Sequence, residues 1–327
     1  MAYVPSSELL ARVADGDTRA AGRLITRAEG GVDEARAALA QIYHRAGRSH
    51  VIGITGVPGS GKSTLVGKLA RLQRDRGERV GIVAVDPSSP YSGGAILGDR
   101  IRMTELANDP GIFIRSMATR GATGGMARAA LDACDILDVS GYGTIIIETV
   151  GVGQDEVEIA KASDTTVVVS APGLGDEIQA IKAGVLEIAD IHVVSKCDRD
   201  DANRTLMDLK QMLTLGALTQ PKADWKIPVI GVSAFTGQGL GDLLDAITRH
   251  WQLSRDTELG RRRRHSIADF RLQKTAETVL LERFHRASAH VRADLASELA
   301  ERASDPYTMA QQLVITALRK EYSNELA

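Results

Sequence analysis

Residues Gly56 to Thr64 read GVPGSGKST and fit the spacing G-x-x-x-x-G-K-[ST]. That spacing suits the grip of a polyphosphate. Gly56, Gly59 and Gly61 let the main chain curl, with Val57, Pro58 and Ser60 between them, so that backbone N–H groups turn toward phosphate oxygens. Lys62 is placed to reach the β- and γ-phosphates, Ser63 to ligate Mg²⁺, and Thr64 to bond the α-phosphate. A helix starting at the loop adds its positive end.

A second group stands at Ser195-Lys196-Cys197-Asp198. It resembles the guanine-reading pattern N/T-K-x-D of GTPases. A carboxylate at Asp198 accepts from both N1–H and the exocyclic amine of guanine, and adenine offers neither. Leaving such a group unpaired is costly, so discrimination on the order of 10⁴ is within reach. The stem of Lys196 covers one face of the base. Ser195 replaces the usual Asn, which also ties this loop to the phosphate loop, and a hydroxyl can supply part of that bonding. Ser233-Ala234 stands where GTPases carry a backbone contact to the guanine oxygen.

Acidic residues complete the set. Asp86 ends the run VAVD, and Glu148 ends IIIE. Carboxylates beside a phosphate loop hold Mg²⁺ directly or through its waters. Asp99, in GGAILGD, is a third. Gly151, in ETVG, stands where Ras-like proteins place the glycine whose N–H senses the γ-phosphate. Gln154 either orients the attacking water or simply begins a surface helix.

These groups need a scaffold that brings several strand ends together. Seven short apolar runs supply it: 51–56, 79–86, 111–116, 143–149, 164–171, 190–196 and 227–234. Unbroken apolar runs alternating with helical stretches predict a mostly parallel sheet with helices on both faces, an α/β three-layer fold. Ligands in such sheets bind at the carboxyl ends of the strands, where each motif falls. Residues 1–48 read as short helices broken at Asp15-Gly16-Asp17 and Gly30-Gly31, 49–254 as the α/β domain, and 255–327 as helices, with Asp305-Pro306 as a helix start.

Composition narrows the classes. The 327 residues carry 40 Lys+Arg against 42 Asp+Glu, a net charge of −2, which gives no reason to expect whole-chain attraction to nucleic acid or anionic lipid. Two cysteines, Cys134 and Cys197, exclude a disulfide scaffold and fit a reducing cytoplasm. No window reaches the ~20 apolar residues of a membrane span, and the N-terminus does not read as a signal peptide.

Taken in order, GVPGSGKST, VDPSSP…GGAILGD, IIIETVGVGQDE, APGLGDEIQAIKAG and SKCD resemble the MeaB/ArgK/MMAA group of P-loop GTPases, which are chaperones of adenosylcobalamin-dependent acyl-CoA mutases. The likeness is dense over about 49–254. It implies a SIMIBI-class GTPase domain that binds and hydrolyses GTP, and a helical N-terminal extension. It also implies a C-terminal dimerisation arm making a homodimer, and Mg²⁺ held by Ser63 with Asp86, Asp99 and Glu148 around it. Segments near 86–102, 148–162 and 171–182 would be switches, with Gln179 and Lys182 relaying nucleotide state to the mutase, which would itself carry the cobalamin. Methylmalonyl-, isobutyryl-, 2-hydroxyisobutyryl- and ethylmalonyl-CoA mutases are all possible clients. The alternatives are a small-molecule kinase of the amino-acid transport type and a metallochaperone NTPase of the same fold. The latter calls for Cys and His clusters that 7 His and no C-x-x-C do not favour.

Some residues stay open. Arg120, in a Gly-rich loop, stabilises phosphate charge, touches a partner or is merely solvated. Arg261 to Arg264 either form a solvated helix start or bind RNA or an acidic partner. His192, inside a strand, reads as a satisfied core histidine.

Overall fold

Side chains on a strand alternate between two faces, and the seven strands use that alternation to build two separate cores. A computed structural model describes residues 3–86, 106, 108–118, 125–149, 158, 161–173, 188–217, 225–288 and 291–325. The strands are β1 (His50–Gly56), β2 (Val80–Asp86), β3 (Ile112–Ala118), β4 (Thr144–Thr149), β5 (Thr165–Ser170), β6 (Ile191–Val194) and β7 (Val229–Gly231). Their order is β3-β2-β4-β1-β5-β6-β7, and every neighbouring pair is parallel. Each run expected from the sequence is one of these strands.

On one face lie Val83, Val85, Met117, Ile145 and Ile147, covered by α1 (Ser6–Ala14), α2 (Thr18–Glu29), α3 (Arg36–Arg45) and α5 (Gly125–Val139). The N-terminal helices are thus part of the core, with Leu9, Leu24, Ile25 and Ile42 fully buried. The other face presents Ile52, Ile54, Ile82, Ile146, Val167 and Val193 to α4 (Lys62–Asp75) and α7 (Leu240–Asp256). α6 (Ala202–Ala217) lies between β6 and β7 in sequence. Both faces being covered explains why the strands read as unbroken apolar runs.

The amino-terminal edge of the sheet carries a buried polar relay. Thr165 Oγ1 is 2.8 Å from both His50 Nε2 and His250 Nδ1, and His250 Nε2 faces Asp190 Oδ1 at 3.4 Å. A hydroxyl has one proton. With His250 Nε2–H turned to the carboxylate, His250 Nδ1 accepts from Thr165, whose oxygen accepts from His50 Nε2–H. His50 also stacks on Trp251 at 4.5 Å. Burial, and then the neighbouring His250, push its pKa down to about 3.

The arginine run begins α8 (Glu258–Ser288), and its members divide. Arg261 and Arg262 lie exposed beside Glu258. Arg263 turns inward and donates to Ser163 O at 2.9 Å, Thr166 Oγ1 at 2.8 Å and Asp190 Oδ2 at 3.2 Å. Arg264 reaches the Ser254 and Arg255 carbonyls near the end of α7.

The chain forms two compact units, Met1–Arg271 and Leu272–Ala327. The second holds α9 (Arg292–Ala300) and α10 (Pro306–Glu325). Asp305 caps α10 by accepting from the N–H groups of Tyr307 and Thr308, as Asp305-Pro306 suggested. Leu272, Leu280, Tyr307 and Ile315 are exposed there. Among the described residues no helix is long and apolar enough to cross a membrane.

Candidate active site

Parallel pairing puts Gly56, Thr149, Ser170 and Val194, the last residues of β1, β4, β5 and β6, on one edge of the sheet. The phosphate-loop sequence leaves β1 at this edge. Gly56 has φ +136°, and a Cβ there would come within 2.0 Å of the Val169 carbonyl oxygen on β5. Only glycine fits, so the tight exit from the strand fixes the residue type. Gly61, at φ +87°, precedes α4 with no side chain capping the helix, so the first N–H groups of α4 point into the loop.

Lys62 is 5% exposed, and its Nζ donates to the carbonyls of Gly56 at 2.7 Å and Val57 at 2.9 Å. The ammonium is therefore held inside the curl of the loop. Ser63 Oγ donates to Glu148 Oε1 at 2.6 Å, and Glu148 is 3% exposed. Two hard oxygen donors from separate elements thus meet beside the loop, a donor set that fits Mg²⁺. Thr149 Oγ1 donates to Thr55 Oγ1 at 3.1 Å and ties the ends of β4 and β1.

The turn expected to read the base follows β6. Ser195 is buried, and its hydroxyl lies 2.6 Å from Ser60 O and 3.0 Å from Ser170 O. Here the hydroxyl makes the tie to the phosphate loop expected of Asn. Lys196 adopts φ +54°, unusual for a residue with a side chain, and its Nζ donates to Gly59 O at 2.8 Å. Both residues therefore fasten the turn to the loop. Asp198 is exposed, and its Oδ1 accepts from Ser233 Oγ at 2.6 Å. That bond, with a backbone N–H, holds its carboxyl below the usual carboxylate range, so it is charged and able to accept at neutral pH. Ser233 is fully buried, and Ala234 is half-buried beside it.

Asp86 ends β2, paired through its backbone with Ala118. Asp99, Gly151, Gln154, Gln179, Lys182 and Arg120 lie outside the described residues. His192 is a buried β6 residue, and Cys134 is buried with its thiol pKa pushed up by desolvation. The carbonyls of Ser60 and Ser170, which hold Ser195, were invisible in the sequence, since any residue supplies a carbonyl. The Thr55–Thr149 pair had a weak signal, a hydroxyl at the end of each of two strands.

The comparisons decide the family. The description "Methylmalonyl Co-A mutase-associated GTPase MeaB" fits residues 21–289. The chain belongs to the MeaB family of GTPases. A Pyrococcus horikoshii protein named as a GTPase is 45% identical over 94% of this chain and 96% of its own length. The Caenorhabditis elegans methylmalonic aciduria type A homolog is 30% identical over 84% of this chain and 70% of its own. A crystal structure titled as a LAO/AO transport system kinase matches with TM-score 0.69 and 25% identity, over 96% of this chain and 98% of the other. The MeaB-family chain is thus a P-loop GTPase that binds guanine nucleotides, and the description of its family names methylmalonyl-CoA mutase.

Proposed function

We propose that this GTPase is a chaperone of an adenosylcobalamin-dependent acyl-CoA mutase, methylmalonyl-CoA mutase first, and that its nucleotide state gates cofactor loading and protects or reactivates the mutase. The nucleotide domain would span 49–254, with 1–48 as an extension and 255–327 as the arm of a cytoplasmic homodimer. Support for the arm comes from the exposed Leu272, Leu280, Tyr307 and Ile315 on helices of the second unit.

In this reading the N–H groups from Gly56 to Thr64 hold the phosphates. Lys62 exchanges the Gly56 and Val57 carbonyls for β- and γ-phosphate oxygens. Ser63 and Glu148 would hold Mg²⁺, with Asp86 and Asp99 as the further acids of the set, and the bound ion would neutralise charge on the phosphate oxygens. Asp198 accepts from guanine, the Lys196 stem covers one face of the base, and Ala234 N–H meets the guanine oxygen. Gly151 senses the γ-phosphate, Gln154 orients water, and Gln179 and Lys182 carry the state to the mutase.

The observation that carries the guanine-binding part of this reading is the bond that Ser233 Oγ donates to Asp198, in a turn that Ser195 fastens to the phosphate loop. Purified chain, assayed for GTP hydrolysis alone and with methylmalonyl-CoA mutase, tests it. Acceleration of roughly tenfold or more, with co-elution that depends on the nucleotide, is expected. Mutase that neither binds nor changes the rate in any nucleotide state would refute the chaperone role.

A further inference from the structure

Of the chain's four phenylalanines, Phe113 packs against one core, Phe270 is 6% exposed and Phe284 is half-buried. Phe235 is 92% exposed. A single exposed apolar side chain is ordinary on a protein surface. Three features make this one different.

The first is rigidity. The turn carrying Phe235 is closed by Thr236 N to Ser233 Oγ at 3.2 Å, Gly237 N to Ser233 O at 2.9 Å and Ser233 N to Gln238 O at 3.0 Å. A ring on a pinned turn loses little conformational freedom when it is covered. The second is position. Ser233, which opens the turn, is the residue that bonds Asp198 Oδ1. Phe235 follows it by two residues, within about 7–8 Å of chain, and so borders the place where the purine edge must lie. The third is what lies across the slot. Lys196 lies over the phosphate loop with its ammonium on Gly59 O, so its aliphatic stem offers one wall. A planar base sandwiched on one side only would leave its other face to water.

We infer that Phe235 is the second wall of the purine slot: its ring packs on the guanine base across from the Lys196 stem. This rests on the reading of Asp198 as the guanine acceptor. The division of labour follows from chemistry. A ring contacts the π-face of any purine, while Asp198 alone senses the exocyclic amine, so Phe235 contributes affinity and Asp198 contributes choice.

The test is titration of GDP and IDP into the full-length wild type and the Phe235→Ala and Phe235→Tyr variants, with thermal unfolding of each protein without nucleotide. IDP lacks the exocyclic amine. Phe235→Ala is expected to weaken both nucleotides by the same factor, roughly 5- to 100-fold. The GDP:IDP ratio and the unfolding temperature should stay at wild-type values, because the side chain is not in the core. Phe235→Tyr should restore binding. Unchanged affinity in Phe235→Ala, or a changed GDP:IDP ratio with affinity for GDP intact, would overturn the inference while leaving the guanine reading in place. A wild type that binds GDP and IDP equally would overturn the guanine reading itself and with it the placement of the ring.

Discussion

The Ser195 hydroxyl lies 2.6 Å from the carbonyl of Ser60, so a buried contact joins the turn that ends β6 to the loop that follows β1, beside the bond from Lys196 to Gly59. The contact ties two residues 135 positions apart in sequence. Ser195→Ala leaves the Ser60 carbonyl without that donor. GDP affinity is expected to fall by about three- to tenfold, the worth of one buried hydrogen bond, and Ser195→Thr should recover most of it. Calorimetric titration gives the numbers, and an alanine variant that binds like wild type would dissolve the proposed link.

Glu148 and Ser63 make a second joint, between the end of β4 and the start of α4. Glu148→Gln keeps the shape and a hydrogen bond to Ser63 but removes the charge. GTP hydrolysis at saturating Mg²⁺ is expected to fall about 100-fold or more, with GDP binding in the absence of Mg²⁺ nearly unchanged. Full hydrolysis in that variant would show that the carboxylate does not serve the ion.

The arginine run tests how a charge cluster should be read. Arg263 holds Ser163, Thr166 and Asp190 at the amino-terminal edge of the sheet, and Asp190 is mostly buried. Arg263→Ala is expected to cost about 2 kcal/mol, because Asp190 loses its charged donor and keeps the Thr166 N–H and His250 as partners. Arg262→Ala, at an exposed pair with Glu258, should stay within about 0.5 kcal/mol. Urea unfolding of the two variants separates the cases, and equal effects would count against a structural role for Arg263.

His50 carries a pH dependence whose sign is fixed. Its pKa is about 3 in the fold and near 6.5 as an ordinary histidine. Below pH 6.5 the unfolded chain takes up a proton that the folded one refuses, so the stability is present above 6.5 and drains away as pH falls toward 3. Asp135 and Asp164, both raised to about 6 by burial, pull the other way: their contribution is present at low pH and lost as pH rises through 6. Comparison with His50→Gln, which can still donate to Thr165, isolates the histidine. Between pH 7.5 and 5 the wild type is expected to lose about 2 kcal/mol relative to the variant. A difference that does not move with pH would contradict a buried neutral His50.

Much of the fold is legible in the sequence, and the reason is physical. A strand covered on both faces has to be apolar throughout, so all seven announced themselves, and the phosphate loop did so because Gly56 sits where no Cβ fits beside Val169. Lys62, Ser63, Glu148, Ser195 and Asp198 were legible as side chains with one chemistry each. What stayed hidden depends on partners distant in sequence. Nothing in the letters tells Arg263 from Arg262, since only the fold decides which arginine faces Asp190. His50 and His250 look unremarkable until Thr165 stands between them. The carbonyls of Ser60 and Ser170 have no letter at all.

The most direct test of the whole account is the choice between GDP and xanthosine diphosphate in wild type and Asp198→Asn. Xanthine carries an oxygen where guanine carries its amine, so a carboxylate rejects it and a side-chain amide accepts it. The wild type should prefer GDP by about 10³-fold or more, and Asp198→Asn should reverse that preference. A variant that still favours GDP by the wild-type margin would mean that the acid after Lys196 and Cys197 does not read the base.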